Sequence, residues 1–255
     1  MKYNKQTYKS ILQFALERGF KFVDFLTANA DDDKSRQLIL RHDIDYSIAL
    51  AYQMAEIDAA CKIKSTFALL SSSPLYNPFT PDNIKFINEI QQLGHNIVLH
   101  HHVTPGSTTD EIKQDIVREI HLMRTVYPNI MPVFVWHDLP PKNLLSDIKI
   151  TGMVNAYNTR YIKRMFYISD SILRHKPETF FKVLDEHKLL HMLLHPIIWM
   201  SEQNNMISMV SYVLTEIIRD CDKEFLVNRV WKEKYPNGIP REILDILHRQ
   251  LSSTG

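Results

Sequence analysis

Histidine and aspartate residues end five short apolar runs of this chain, and such side chains can bind a metal ion or move protons. The five runs are residues 38–45, 97–102, 133–138, 166–170 and 190–196. Continuous apolar runs are typical of strands buried on both faces, and in α/β barrels the chemically active groups lie where such strands end. We therefore expect the five ends to surround one site.

The first run carries two carboxylates, Asp43 and Asp45, two residues apart. Alternate residues of a strand share a face, so both carboxylates can point into the same site. Two close carboxylates repel each other unless a cation lies between them or one of them is protonated. A metal ligand beside a general base meets this condition. The alternative for Asp45 is a cap on the helix that begins near Ser47.

The second run ends in three histidines, of which His100 and His102 can project together while His101 is turned away. Two imidazoles and one carboxylate form a common ligand set of catalytic zinc, which leaves a position open for water. We therefore predict a divalent metal site of Asp45, His100 and His102, with zinc as the ion. The alternative is a satisfied or solvated histidine at a strand end.

The last run ends at His195, which can titrate near neutral pH and donate a proton to a leaving group. Asp170, at the end of another run, is placed to orient this imidazole. The alternative is a buried histidine bonded to the backbone. Rings also lie at this edge of the sheet, on Trp136, His137 and Trp199, and a sugar can stack on such rings. For the two tryptophans the alternative is packing in the core.

Strands and helices alternate along the chain and would position these residues. Strands are predicted at residues 38–43, 66–70, 96–102, 132–137, 152–157, 165–169 and 190–195, and helices at 5–18, 47–60, 80–94, from 108 onward, 141–148, 178–187, 202–232 and 239–251. The alternation favours parallel strands joined by right-handed crossovers. We expect one α/β domain over residues 1–255, a distorted or incomplete (β/α) barrel of about seven parallel strands. Extra C-terminal helices would occupy about residues 202–251.

The composition excludes several classes of function. The formal net charge is +1 over 255 residues, with the basic residues spread along the chain, which argues against nucleic-acid or anionic-membrane partners. Cys61 and Cys221 stand far apart, so a thiolate zinc site is excluded. No glycine-rich nucleotide loop occurs. No uncharged stretch is long enough for a signal peptide or a membrane span, so we expect a cytoplasmic setting. The oligomeric state stays open.

Together these motifs resemble the polysaccharide deacetylases of carbohydrate esterase family four, and in particular a divergent bacterial branch. The resemblance spans about residues 10–200, and its motifs are Arg41-His42-Asp43-Ile44-Asp45, Trp136-His137, Ser169-Asp170-Ser171 and Leu193-Leu194-His195-Pro196. It implies a metal-dependent deacetylase of N-acetylated sugars on a distorted barrel. By the same resemblance Asp43 is the catalytic base, Asp45 and His100 are metal ligands, and His195, supported by Asp170, is the general acid.

The chain departs from the family pattern at two places. The family's second histidine ligand lies four residues after the first, where this chain has Thr104, so His102 or His137 would take that role. The family's Arg-Pro motif, which steadies the base, is absent where Trp136 stands, and Arg41 would replace it. We therefore count Arg41, Trp136, His137 and Trp199 as candidate substrate-binding residues.

The resulting hypothesis is a metal-dependent hydrolase that removes an acetyl or formyl group from an amino sugar. A cytoplasmic setting points to a nucleotide- or lipid-linked precursor of surface polysaccharide. One alternative is a catalytically retired member that binds a carbohydrate or a partner, which the missing second histidine suggests. Another is a metal-dependent phosphoesterase, because His-x-His pairs also serve such enzymes.

Overall fold

The computed structural model describes residues 1–32, 34–137 and 148–252. The helix predicted at 141–148 falls almost entirely on residues 138–147, outside the described residues. The chain divides into two compact units, Met1–Met209 and Val210–Gly255, and each is described by itself. The single domain predicted over residues 1–255 stays a prediction.

The described part of the first unit contains eight parallel strands. They are β1 (Lys21–Val23), β2 (Gln37–Ile44), β3 (Thr66–Leu70), β4 (Asn96–His101), β5 (Val133–Trp136), β6 (Val154–Asn155), β7 (Phe166–Ser169) and β8 (Leu189–Leu194). Seven follow one another in the order β6-β5-β4-β3-β2-β8-β7, and the short β1, which was not predicted, pairs with the start of β2. The sheet is a curled half-barrel, so the predicted incomplete α/β barrel is confirmed.

The central strand β2 explains why charged residues lie inside the protein. It pairs with β3 on one side and β8 on the other, and all of its residues are buried. The apolar stretch of β2, residues 38–40, is what a strand covered on both faces requires. Its continuation, Arg41, His42 and Asp43, is 0%, 0% and 3% exposed. Charged and polar groups buried this deeply need partners, and those partners define the site.

Helices flank the strands of the first unit. The α-helices are α1 (Lys5–Glu17), α2 (Ile48–Ala60), α3 (Pro81–Gln92), α4 (Thr109–Val126), α5 (Pro177–Glu186) and α6 (Pro196–Met200), and the described part also has a π-helical segment at Arg160–Arg164 and a 3₁₀ turn at Ser171–Leu173. Thr108 and Glu111 form a capping box at the start of α4. The cap of α2 is Ser47, whose side chain accepts a hydrogen bond from the Leu50 N–H at 3.3 Å. The helix is therefore capped by Ser47 and not by Asp45, as the alternative for Asp45 supposed. The short α6 was not predicted.

In its described part the second unit is helical. Its helices are α7 (Met206–Val227, which starts before the unit boundary), α8 (Arg229–Lys234) and α9 (Arg241–Ser252). The pattern predicted as one helix over 202–232 is divided at Asn228, which caps α8 through the Trp231 N–H at 3.1 Å. The rings of Phe225 and Trp231 stack with their centroids 4.8 Å apart. Among the described residues, none of the helices has the length and apolar character that crossing a membrane requires.

Candidate active site

The polar strand ends meet at one edge of the curled sheet. Because the strands are parallel, their carboxyl ends lie at the same edge, where the first residues of the following loops also lie. Strands β2, β4 and β5 supply one part of the group, and the residues that follow β7 and β8 supply the other. The side chains brought together are those of Asp43, Asp45, His100, His137, Asp170 and His195.

Three potential ligand atoms converge on one point. Asp45 Oδ1 lies 3.1 Å from His100 Nε2 and 3.4 Å from His137 Nδ1, and the two nitrogens are 3.2 Å apart. Ligands bound at about 2.0–2.1 Å in a tetrahedral zinc site lie about 3.3–3.4 Å from one another. The three separations, and the set of one carboxylate and two imidazoles, therefore fit a single ion. In the described part of the chain this is the group that could hold a metal.

His102, the predicted second imidazole ligand, lies beside this group. Its ring centroid is 5.4 Å from that of His137, and it is not one of the three converging residues. Strand β4 ends at His101, so the alternation that would place His102 on the face of His100 does not extend to it. His101 points away and its Nδ1 lies 3.0 Å from Glu119 Oε2. The structure thus brings in His137, the alternative ligand.

Asp45 is held in the charged form that a metal ligand needs. Its side chain is 17% exposed. Burial raises the pKa of Asp45, but the hydrogen bonds from His100 and His137 outweigh this and keep the pKa well below its ordinary value. Carboxylates bind metals deprotonated, so Asp45 is ready to act as a ligand.

Asp43 is clamped by an arginine on its own strand. Arg41 donates from Nε to Oδ1 and from Nη2 to Oδ2, both at 2.8 Å. Burial raises the pKa of Asp43, but the charge of Arg41 outweighs it and the pKa lies below its ordinary value. Asp43 Oδ2 is 3.6 Å from His100 Nε2, so this carboxylate adjoins the three converging ligand atoms.

Arg41 is itself held in place by Tyr157. Arg41 Nη2 donates to the Tyr157 hydroxyl at 3.0 Å, and its guanidinium lies 5.1 Å from the centroid of the Tyr157 ring. Because Arg41 is 0% exposed, it contacts Asp43 and not the solvent in this structure. Tyr157 was not predicted as part of the site. It ends the predicted strand 152–157, so the strand-end pattern points to it once tyrosine is considered with acids and imidazoles.

His195 and Asp170 form the other side of the site. His195 Nδ1 lies 2.5 Å from Asp170 Oδ1, and His195 Nε2 lies 3.5 Å from Asp45 Oδ2. Burial lowers the pKa of His195, but the charge of Asp170 and its hydrogen bond outweigh this and raise the pKa to about 9. The imidazole therefore presents a protonated nitrogen to the site near neutral pH, with its side chain 12% exposed.

The two tryptophans predicted as sugar-stacking surfaces are buried. Trp136 and Trp199 are 1% and 0% exposed, so neither offers a ring face to a ligand in this conformation. Trp136 packs against His101 and Phe134, on the face of β5 opposite to His137. Trp199 instead donates from Nε1 to Asp170 Oδ2 at 2.7 Å.

A second buried polar group, called the outer cluster below, lies on the opposite face of β2. It consists of Tyr8, His42, Asp58, Ser65 and His95, each no more than 4% exposed. Asp58 is its centre: it accepts from the Tyr8 hydroxyl and from Ser65 Oγ at 2.6 Å, and its Oδ2 lies 2.9 Å from His42 Nε2. His95 Nδ1 lies 3.0 Å from Ser65 Oγ. This group joins α1 and α2 to the sheet.

Neither a protein-family model nor a curated protein matches the sequence. Among solved structures, the chain is similar to a pseudoenzyme of carbohydrate esterase family 4 from Bacillus anthracis, with a TM-score of 0.45 and 14% identity over 72% of this chain. The match covers 63% of that protein, so the chain spans less than two thirds of its length.

Two further similar structures are deacetylases. The Streptococcus pyogenes deacetylase PplD, in complex with acetate, gives a TM-score of 0.47 and 12% identity, covering 71% of this chain and 87% of that one. The chitin deacetylase of the fungal pathogen Colletotrichum lindemuthianum gives 0.44 and 13%, covering 70% and 81%. At such identities these similarities concern the fold alone.

Proposed function

We propose that this chain is a metal-dependent amide hydrolase that removes an N-acyl group from an amino sugar. The convergence of three chemical units along one edge supports this most strongly. A metal-ligand set adjoins a paired carboxylate at 3.6 Å, between Asp43 and His100, and a protonated imidazole at 3.5 Å, between His195 and Asp45. Amide hydrolysis needs an electrophile, a proton acceptor and a proton donor around one carbonyl.

In this proposal Asp45, His100 and His137 hold the ion, and the donor set favours zinc. A divalent ion held there supplies polarisation of an amide carbonyl and acidification of water. His137 takes the place of the predicted ligand His102, because its nitrogen is the one within 3.4 Å of both other ligand atoms.

Asp43 takes the proton of the attacking water. Arg41 keeps it ionised and fixes the direction of both oxygens. Each carboxylate oxygen has two acceptor positions, so an oxygen bonded to Arg41 can still accept a proton. The expected loss on replacing such a base is about 10²–10⁴-fold in rate.

His195 donates the proton from Nε2 to the departing amine. An amine that leaves without a proton is a poor leaving group, so this donation favours cleavage of the C–N bond. Asp170 holds the Nδ1–H at 2.5 Å and thereby directs Nε2 into the site. The exposed fractions of the side chains support substrate approach from the side of His137, which is 26% exposed.

A second candidate is a non-catalytic member that binds a carbohydrate. One observation favours it: Asp43 is 3% exposed, and both of its oxygens are already bonded to Arg41. A water molecule must reach a carboxylate that the protein largely encloses. The two candidates make different predictions for turnover, while both allow metal and sugar binding.

The test is an acyl-release assay on the zinc-loaded chain. The substrates are N-acetyl and N-formyl amino sugars as oligomers and as nucleotide-linked precursors, since the sequence pattern indicates a cytoplasmic precursor. Free amine and acetate or formate are measured together. We expect release of both, a fall in kcat of about 10²–10⁴-fold in Asp43→Asn, and an unchanged metal content. Asp110→Asn, at an 84% exposed side chain, is the control.

Two outcomes would overturn the proposed amide hydrolase activity. Zinc-loaded protein that binds these sugars calorimetrically and releases no amine supports the binding candidate. Release of phosphate from sugar phosphates, with no amine from any N-acyl sugar, supports a phosphoesterase.

A further inference from the structure

The carboxylate of Asp170 accepts hydrogen bonds from one short segment of the chain. It is 0% exposed, and in the described part of the chain the hydrogen bonds that its carboxylate accepts come from His195 and Trp199. His195 contributes its ring Nδ1 and its backbone N–H, and Trp199 contributes its indole N–H. A His-Pro-x-x-Trp segment therefore surrounds one carboxylate.

The two oxygens of Asp170 have different partners. Oδ1 faces His195 Nδ1 at 2.5 Å, and Oδ2 accepts the indole N–H at 2.7 Å. The backbone N–H of His195 lies between them, at 3.2 Å from Oδ1 and 3.0 Å from Oδ2. Hydrogen bonds to an ionised acceptor are short and directional. The indole therefore fixes the rotation of the carboxylate and leaves Oδ1 for the imidazole.

The indole is itself fixed by packing. Trp199 lies in α6, one helical turn after His195, so its side chain returns to the same side. The ring is 0% exposed and contacts Tyr3, Tyr8 and Phe180 at centroid distances of 4.9, 5.8 and 5.8 Å. Tilted and edge-on contacts of this kind hold an aromatic ring in one orientation.

Trp136 provides a contrast within the same unit. It is as deeply buried, at 1% exposure, yet its Nε1 has no hydrogen-bond partner among the described residues. Trp136 fills space, whereas Trp199 fills space and donates to a carboxylate.

We infer that Trp199 is a positioning residue that orients Asp170 and, through it, the proton-donating face of His195. Only the role of His195 as a proton donor rests on the proposed function. The orientation of the His195–Asp170 pair can be measured without turnover.

The test compares Trp199→Phe with Trp136→Phe in the full chain by proton NMR. A short N–H···O bond between imidazole and carboxylate gives a strongly downfield proton resonance, which is assigned to His195 Nδ1–H by its loss in Asp170→Asn. We expect Trp136→Phe to keep the resonance of the parent chain. In Trp199→Phe we expect its loss or an upfield shift, because Asp170 Oδ2 retains only a shared backbone donor. In the acyl-release assay, kcat of Trp199→Phe should fall about tenfold with KM unchanged, a part of what general acid catalysis contributes.

A resonance in Trp199→Phe that matches Trp136→Phe in position and exchange rate overturns the inference, whatever the activity. If the resonance changes as expected but the parent chain releases no amine, the positioning stands and the proposed function fails. Should Trp199→Phe not fold, judged by its circular dichroism, 3-benzothienylalanine at position 199 keeps the ring shape and lacks the N–H. The same comparison then decides, with the same analogue at position 136 as control.

Discussion

The two faces of β2 carry buried polar groups of similar composition and different arrangement. On one face, Asp43 and Asp45 meet the imidazoles of His100 and His137, and we call these four residues the site cluster. On the other face is the outer cluster around Asp58. Residue type alone would assign either one to catalysis.

The arrangement of donors and acceptors separates the two clusters. In the outer cluster, the hydroxyl donors of Tyr8 and Ser65 and the ring of His42 surround one acceptor, Asp58. In the site cluster, lone-pair atoms of Asp45, His100 and His137 face one another, which calls for a cation or protons between them. Convergent acceptors that reach the solvent indicate a ligand site, and donors closed around an acceptor indicate a structural one.

The largest expected effect that tests this contrast is a loss of folding stability when the outer cluster is changed. Asp58→Ala leaves Tyr8, Ser65 and His42 without their shared partner, and removal of one member of such a buried group costs about 3–5 kcal/mol. We expect a urea midpoint lowered accordingly, with an unchanged kcat per folded molecule. The milder Asp58→Asn keeps one acceptor oxygen and provides a folded variant for the assay. A stable Asp58→Asn protein without activity would place the outer cluster in the catalytic machinery.

The next effect concerns metal affinity and sharpens the site cluster itself. His137→Ala removes one of the three converging ligand atoms, so we expect zinc affinity to fall by at least about 100-fold, the upper end of what loss of a supporting residue costs. His102→Ala is the matched control. His102 is not among the three converging residues, so the variant should lose much less zinc affinity than His137→Ala. Competition with a chromophoric chelator measures both. Equal losses would restore His102 as a ligand.

The effect that is smallest at neutral pH concerns His191, which belongs to neither cluster. Burial and the charge of Arg41 lower the pKa of His191 to about 3, against about 6.5 for an unfolded histidine. Between these values the unfolded chain binds a proton that the folded chain does not. Stability therefore falls with decreasing pH by about 1.4 kcal/mol per pH unit in this window.

His191→Gln should remove this slope, so the difference in unfolding free energy between parent and variant should change steadily between pH 7 and pH 4. Urea titrations at several pH values measure it. His121→Gln, at an exposed position of α4, is the control and should give a curve parallel to that of the parent chain. A parallel curve for His191→Gln would contradict the prediction.

The sequence predicts the fold, and which strand ends carry the polar residues of the site, because both depend on local patterns. Continuous apolar runs mark strands covered on both faces, and the position of Asp43, Asp45 and His100 at such ends is enough to bring them to one edge. The same rule identifies His195 and Asp170, which the structure places 2.5 Å apart.

What the sequence does not predict depends on where regular geometry stops. Period-two alternation assigns His102 to the face of His100, but β4 ends at His101 and the alternation ends with it. The sequence predicts Trp199 as a stacking surface and misses its bond to Asp170, because that bond joins residues 29 positions apart and depends on a short helix that no pattern indicates. Asp58 lies in α2 with helical periodicity, so nothing local marks it as the centre of a cluster.

Arg41 and Asp43 lie two positions apart on a single strand, and two hydrogen bonds join them, from Nε and Nη2 of the guanidinium to the two carboxylate oxygens. The orientation of the acidic group is therefore set by one piece of backbone in the middle of the sheet. Insertions or exchanges in the surface loops that follow the other strands would change the surroundings of the site without disturbing that pair. Such an arrangement separates the part of the protein that selects a molecule from the part that would act on it, and the two can change independently over evolution.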